Sequence, residues 1–177
     1  MKIAIIGYSG AGKSTLAEKL SNYYSIPKLH MDTLQFQPGW QDSDREWMLT
    51  EMKNFLTKHE AWVIDGNYSW CCYEERMQEA DQIIFLNFSP WTCLFRAFKR
   101  YLTYRGKVRE SMAAGCPERF DWDFIRWILW DGRTKNAKER YQRVQENYPE
   151  KVIVLRSQKE MEYFLENLAH NKKNQRV

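Results

Sequence analysis

The sequence predicts an α/β domain built on a parallel β-sheet. Five short runs of apolar and β-branched residues alternate with longer segments in which apolar residues recur at helical spacing. This alternation is typical of parallel sheets, because the connection between two parallel strands needs a crossover, usually a helix. The length of 177 residues and the hydrophobic content of 44% suit one globular domain spanning residues 1–177.

The strands are placed by their apolar runs. The fourth run is apolar throughout, which favours a central strand covered on both faces. Residues 34–40 interrupt the pattern after the second run, and their Pro-Gly pair predicts a loop. The five predicted strands are residues 2–6, 27–32, 62–68, 82–88 and 151–155.

Capping signals mark the predicted helices. Ser43 and Glu46 form a capping box, which predicts a helix start, and Pro90 suits the first position of another helix. A long helix at 121–147 is expected to break or kink at Gly132, because glycine weakens a helix interior. The remaining predicted helices cover 13–24 and 159–168, and the tail at 170–177 is expected to fray.

The segment GYSGAGKST, residues 7–15, carries the strongest functional signal. It matches G-x-x-x-x-G-K-[ST] and lies between a predicted strand and a predicted helix, which is the context of a phosphate-binding P-loop. Backbone N–H groups in such a loop surround phosphate oxygens, the lysine contacts the β and γ phosphates, and the hydroxyl holds Mg²⁺. The sequence therefore predicts ATP and Mg²⁺ as ligands of Gly7, Ser9, Gly10, Ala11, Gly12, Lys13, Ser14 and Thr15.

Two aspartates lie toward the carboxyl ends of predicted strands, at the edge where parallel sheets bind ligands. Asp32 is predicted to assist Mg²⁺ or to act as base for an acceptor hydroxyl, with a turn cap as the alternative. Asp65 is predicted to orient metal-bound water or to fix the loop after it, and His30 to be structural or a hydrogen-bond partner. Residues predicted to face the acceptor are Phe36, Trp40, Asp65, Gly66, Asn67 and Tyr68.

Basic residues are concentrated between residues 96 and 109. The segment 105–120 has two glycines, mixed charge and no periodicity, which predicts a lid. Arg100, Arg105 and Arg109 are predicted to stabilise the transferred phosphoryl group, although surface solvation remains the alternative for each of them.

Several sequence blocks outside the P-loop are more specific for a protein family than the P-loop motif, which many unrelated nucleotide-binding proteins share. LHMDTLQFQPGW, WVIDGNY, RAFKRYLTYRGKVR and MAAGCPERFDWDFIRW resemble the DNA topology modulation protein family, which is related to adenylate kinases, over nearly the whole chain. The resemblance implies a nucleoside-monophosphate-kinase-like α/β/α fold with five parallel strands ordered 2-3-1-4-5 and a lid between the last two. By the spacing seen in adenylate kinases, it also implies that Arg96 and Arg100 contact the donor nucleotide. The GKST ending is closer to shikimate- and gluconate-kinase-like loops than to the GKGT of adenylate kinases, and IDGNY lacks the Arg that follows DGFP in adenylate kinases. These two departures argue against AMP as acceptor.

The predicted function is a kinase that transfers the γ-phosphoryl group of ATP to a small-molecule or nucleotide acceptor. The alternative is a regulatory nucleotide-binding or ATPase module that acts on a protein or DNA partner. The net charge of +4 and the lack of a recognisable DNA-reading motif give no support for direct DNA binding. The first apolar run is too short for a signal peptide or membrane span, so a cytoplasmic location is expected. The sequence leaves the acceptor and the oligomeric state open.

Overall fold

A computed structural model describes residues 1–174 of the chain. The strands are β1 (Lys2–Gly7), β2 (Lys28–His30), β3 (Phe36–Gln37), β4 (Gln41–Asp42), β5 (Trp62–Asp65), β6 (Gln82–Leu86) and β7 (Val152–Leu155). The helices are α1 (Lys13–Tyr24), α2 (Met31–Gln35), α3 (Arg45–Lys58), α4 (Tyr73–Glu79), α5 (Pro90–Tyr104), α6 (Trp122–Leu129), α7 (Lys135–Asn147) and α8 (Gln158–Asn174). A 3-10 turn, Asp131–Arg133, separates α6 from α7.

Five parallel strands form the central sheet in the order β2-β5-β1-β6-β7. Counted along the chain among the strands of this sheet alone, they are the second, third, first, fourth and fifth. Residues of β1 and β6 on both faces are buried, because helices cover the two sides of the sheet. The predicted α/β class with a five-stranded parallel sheet is confirmed.

The hydrophobic core lies on both sides of this sheet. Its largest fully buried apolar side chains come from strands and from helices packed against them, so the apolar runs that predicted the strands also form the core. They are Ile3, Ile5, Ile6, Leu16, Leu20, Met31, Met48, Met52, Trp62, Ile64 and Phe88.

Several predicted boundaries were wrong. The second strand ends at His30, and Asp32 lies in the short helix α2 rather than at a strand end. Helix α3 is capped by Asp44, whose side chain accepts a hydrogen bond from Trp47 N, instead of by Ser43. Asp is as good a cap as Ser, and Ser43 is buried here.

Other differences concern short elements. The segment predicted as a loop forms a two-stranded antiparallel hairpin, β3–β4, and α4 was not predicted. The break predicted at Gly132 is present as the 3-10 turn. Helix α8 continues to Asn174, and the rest of the predicted frayed tail, 175–177, lies outside the described residues. No helix within residues 1–174 has both the length and the apolar character needed to cross a membrane.

Candidate active site

The glycine loop joins β1 to α1 and is enclosed by parts of the chain distant in sequence. Gly7 and Gly10 have φ angles of 138° and 80°, which residues with side chains rarely adopt. A Cβ on Gly7 would lie 2.4 Å from Leu86 O, and one on Gly10 would lie 2.5 Å from Cys93 O. The end of β6 and the first turns of α5 therefore fix the path of the loop.

Lys13 lies at the bottom of the loop. Its Nζ donates hydrogen bonds to Gly7 O at 3.0 Å and Tyr8 O at 3.2 Å. Burial lowers the pKa of Lys13, while Asp32 and Asp65 act in the opposite direction. A buried ammonium that contacts only carbonyl oxygens is incompletely compensated, and a phosphate supplies the missing negative charge.

Asp65 connects Ser14 to His30. Ser14 Oγ donates to Asp65 Oδ2 at 2.9 Å, and Asp65 Oδ1 forms a hydrogen bond with His30 Nδ1. Asp65 ends β5, which pairs with β1, so the strand register carries this carboxylate to the start of α1. The predicted hydrogen-bonding role of His30 agrees with this contact.

The Ser14–Asp65 pair has the chemistry of a magnesium site. Mg²⁺ prefers oxygen ligands and is commonly held by one or two carboxylates together with phosphates and waters. In residues 1–174 no three His, Cys, Asp or Glu side chains are grouped so that they could hold a metal ion by themselves. The hydroxyl and carboxylate present fit Mg²⁺.

Asp32 does not contact Ser14 by a hydrogen bond. Its Oδ1 accepts a hydrogen bond of 2.7 Å from the Tyr68 hydroxyl. Burial raises the pKa of Tyr68, and the nearby Asp32 raises it further, so the phenol stays protonated and donates. The carboxylate in contact with the P-loop hydroxyl is thus Asp65, while Asp32 lies farther along the cleft.

Asn67 and Arg76 hold the loop that follows β5. Asn67 Oδ1 accepts from Gly7 N at 3.0 Å, and Asn67 Nδ2 donates to Gly7 O at 2.5 Å. The side chain thus exchanges two hydrogen bonds with the backbone of Gly7, as a neighbouring strand would. Arg76 is fully buried and donates to the carbonyls of Gly66, Tyr68 and Cys72. These contacts position the loop, and they show that the Asn67 amide already has a structural partner.

Glu118 binds two of the predicted arginines. Its Oε1 accepts from Arg100 Nε at 2.7 Å, and its Oε2 accepts from Arg109 Nε at 2.5 Å. Only 4% of the Glu118 side chain is exposed. Burial lowers the pKa of Arg100, and the neighbouring charge of Arg109 lowers it further. The two guanidinium groups thus share one buried carboxylate.

Arg96 and Arg105 occupy different places. The Arg96 guanidinium contacts Gln158, lies over the Phe88 ring at 5.4 Å and approaches Gly12 closely. Arg105 is exposed at the C-terminal end of α5 and does not line the cleft. The structure therefore brings Arg96, Arg100 and Arg109 to the cleft but not Arg105.

The β3–β4 hairpin meets the segment 105–120. Gly39 N donates to Gly115 O at 3.0 Å, and the Cys116 thiol donates to Gln37 O at 3.1 Å. The Arg119 guanidinium lies 5.2 Å from the Trp40 ring centroid. These two chain segments together cover one side of the cleft.

The predicted site residues converge on one cleft of about 1220 Å³. Gly7, Ala11 and Arg105 are the predicted residues that do not line it. Those that do are Ser9, Gly10, Gly12, Lys13, Ser14, Thr15, Asp32, Phe36, Trp40, Asp65, Gly66, Asn67, Tyr68, Arg96, Arg100 and Arg109.

Sequence reasoning missed three residues of this site. Glu118 and Arg76 act through partners that only the tertiary structure brings close. Trp127 lies in the segment predicted only as a long helix, yet it is 50% exposed and its Nε1 donates to Ser9 Oγ at 3.1 Å. The position of Glu118 beside Arg119 in a segment rich in basic residues was the available signal, because opposite charges attract.

The fold is shared with two solved kinases. The structure is similar to deoxyadenosine kinase from M. mycoides, with a TM-score of 0.52 and 19% identity over 100% of both chains. It is also similar to a gluconokinase from Sinorhizobium meliloti 1021, with a TM-score of 0.51 and 18% identity over 98% of this chain and 96% of that one. No family model and no curated protein matches the sequence. The glycine loop and the sheet that carries it define a P-loop protein with a kinase-like fold.

Proposed function

We propose that this protein is a kinase that transfers the γ-phosphoryl group of ATP to a small-molecule or nucleotide acceptor. The observation that carries the proposal is the convergence of the glycine loop, the Asp32 carboxylate and the Arg100–Arg109 pair on one cleft. A phosphoryl donor, an acceptor and groups that stabilise the transferred charge have to meet in such a space.

The donor half of the cleft consists of the loop and the residues beneath it. Loop N–H groups and Lys13 bind the phosphates, and Ser14 with Asp65 holds Mg²⁺. The metal ion, when bound, offsets negative charge on the phosphate oxygens. His30 keeps the Asp65 carboxylate oriented toward Ser14.

Asp32 is the proposed general base. Its Oδ1 is held by Tyr68, and its Oδ2 has no hydrogen-bond partner among residues 1–174, so this oxygen is open to a hydroxyl proton. Arg100 and Arg109 bind the transferred group, and the segment 105–120 acts as the lid that carries Arg109. The similarity to deoxyadenosine kinase and gluconokinase supports a hydroxyl acceptor.

The substitution Lys13→Ala tests the donor site. We expect affinity for a non-hydrolysable ATP analogue with Mg²⁺ to fall roughly 100-fold, because a buried charged partner of the phosphates is lost. Calorimetric titration measures the change, and Lys138→Ala, at an exposed position of α7, is the matched control. Equal binding by both variants would overturn the proposal.

The resemblance to the DNA topology modulation family supports a second candidate, a nucleotide-dependent regulator. Arg105 and Lys107 are exposed outside the cleft, where a polyanion can reach them. Binding of duplex DNA at low salt that is lost in the double variant Arg105→Glu, Lys107→Glu would favour this candidate. No binding at low salt would exclude its DNA version.

A further inference from the structure

We infer that the acceptor is a nucleoside that binds with its base against aromatic side chains at the acceptor end of the cleft and is phosphorylated on a sugar hydroxyl. The inference rests on the proposed function, because it concerns the acceptor half of the same cleft. It narrows a broad class of acceptors to one kind of molecule.

One wall of the acceptor end is the β3–β4 hairpin. Phe36 and Trp40 are in edge contact with ring centroids 5.2 Å apart, and both rings line the cleft. Trp40 has a φ of 64°, a left-handed conformation that is costly for a bulky residue. Such strain at a cleft indicates that the position of the indole serves binding, since strained backbone is concentrated at ligand sites.

A second aromatic pair lies on the loop after β5. Tyr68 and Trp70 have ring centroids 6.5 Å apart and line the same cleft. The Arg45 guanidinium lies 5.2 Å from the centroid of the Trp70 ring, a distance typical of a cation–π contact. Rings of this kind bind planar bases by stacking, whereas a sugar acid has no planar face to occupy them.

The polar end of this region suits an uncharged hydroxyl. Asp32 presents one carboxylate oxygen held by Tyr68 and one without a protein partner among the described residues. A phosphate on the acceptor would be repelled by Asp32, and it would compete with the transferred phosphoryl group for Arg100 and Arg109, whose charge is already partly offset by Glu118. A nucleoside has the hydroxyl without the additional charge.

Gln35 supplies a contact for the base edge. It lines the cleft, and its Nε2 donates to Asp42 Oδ1 at 2.8 Å, which fixes the orientation of the amide. The opposite atom, Oε1, is buried and has no hydrogen-bond partner among residues 1–174. An amino group on the base provides the donor that this oxygen lacks, so bases with an exocyclic amine are favoured.

The transfer step follows from these positions. The sugar hydroxyl loses its proton to Asp32 as its oxygen forms a bond to the γ-phosphorus of ATP. The bond between that phosphorus and the bridging oxygen of ADP breaks. The products are ADP, a nucleoside monophosphate and the proton on Asp32, which is released to water.

Binding and turnover test the inference together. Deoxyadenosine, deoxyadenosine 5′-monophosphate and gluconate are titrated calorimetrically into the full chain with a non-hydrolysable ATP analogue and Mg²⁺, and ADP release is then measured with ATP. We expect deoxyadenosine to bind and to support ADP release at least tenfold better than the other two. Preference for the monophosphate or for gluconate overturns the inference and leaves the kinase proposal intact.

Two tryptophan variants test the aromatic wall. We expect Trp40→Ala and Trp70→Ala each to weaken deoxyadenosine binding by about tenfold, from loss of stacking. Trp47→Ala removes a 46% exposed indole outside the cleft and is expected to leave binding unchanged. Unchanged deoxyadenosine binding in both cleft variants contradicts base stacking, and this readout needs no turnover.

Deoxyinosine tests the contact to Gln35, because it differs from deoxyadenosine by replacement of the amino group with a carbonyl. We expect deoxyinosine to bind more weakly than deoxyadenosine, and Gln35→Leu to abolish the difference. Equal affinity of the two nucleosides for the unmodified protein removes Gln35 from the inference. Failure of the ATP analogue itself to bind counts instead against the proposed function.

Discussion

At the scale of single residues, charge sharing at Glu118 governs how the arginines are held. One carboxylate, only 4% exposed, faces both Arg100 and Arg109. Two cations this close repel each other, and an anion between them offsets the repulsion. Glu118 supplies that anion.

Removal of the Glu118 charge should lower the free energy of unfolding, and a bound anion should restore it. We expect Glu118→Gln to lower the free energy of unfolding by about 2 kcal/mol, because two partly buried guanidinium groups lose their charged partner. Urea denaturation with and without the ATP analogue measures the loss and its recovery.

The control is Glu139→Gln, which removes the exposed partner of Lys135 and should change stability by less than about 1 kcal/mol. Equal losses in the two variants, or no recovery with the analogue, would show that Glu118 has no special electrostatic role.

At the scale of elements, the contact between the hairpin and the segment 105–120 shapes the acceptor end of the cleft. Gly115 has a φ of 74°, and a Cβ there would lie 2.8 Å from Pro38 Cβ. Gly106 has a φ of 71°, but a Cβ at that position would meet nothing within 4 Å. The two glycines therefore share a backbone conformation and differ in their neighbours.

Alanine substitutions at these two glycines distinguish the effect of backbone strain from the effect of contact with Pro38. We expect Gly115→Ala and Gly106→Ala each to lose about 1 kcal/mol of stability to the left-handed conformation. Only Gly115→Ala should also weaken acceptor binding, since it pushes the hairpin away from the segment. Thermal unfolding and titration with deoxyadenosine distinguish the two effects. Similar affinities in both variants would disprove the idea that the hairpin and the segment 105–120 together cover the cleft.

The elements predicted from sequence were those encoded locally. The glycine loop is specified by residues adjacent in the chain, and the apolar runs of β1 and β6 need only a buried sheet to form. The start of α3 was misplaced because Ser43 and Asp44 are both good caps, and only packing decides between them.

Residues that depend on distant partners could not be predicted. Arg76 in YEERMQE has the pattern of an exposed helix, yet it is fully buried on three carbonyl groups. Burial lowers its pKa to about 10, so it stays protonated at neutral pH. Asp32 was predicted at a strand end because KLHMD continues the apolar run, but the chain turns into α2 after His30. Its contact with Tyr68 depends on the tertiary structure.

At the scale of the whole molecule, the strand order explains why the residues proposed to bind donor and acceptor meet. Strand β1 lies between β5 and β6, so the glycine loop has Asp65 on one side and α5 on the other. The segment 105–120 carries Arg109, which faces the cleft, and also contacts the hairpin that lines the acceptor end. Binding in one half of the cleft is therefore expected to affect the cover of the other half.

This arrangement predicts coupled binding. We expect the ATP analogue with Mg²⁺ to raise affinity for deoxyadenosine by about fivefold or more, within the range of ordinary coupling between sites. Titrations with and without the analogue measure the effect, and Lys13→Ala should abolish it. Equal affinities in the two titrations would mean that the two halves act independently.

The contact of Trp127 with Ser9 has an optical consequence. The indole of α6 donates directly to the loop where phosphates are expected, and half of its surface is exposed. Indole emission responds to local polarity and hydrogen bonding. Movement of the Trp127 ring away from the loop therefore changes the wavelength and intensity of its fluorescence emission. The difference in emission between the unmodified chain and Trp127→Phe isolates this signal from the other seven of the eight tryptophans. The protein thus contains a built-in fluorophore that reports in real time how α6 lies against the loop.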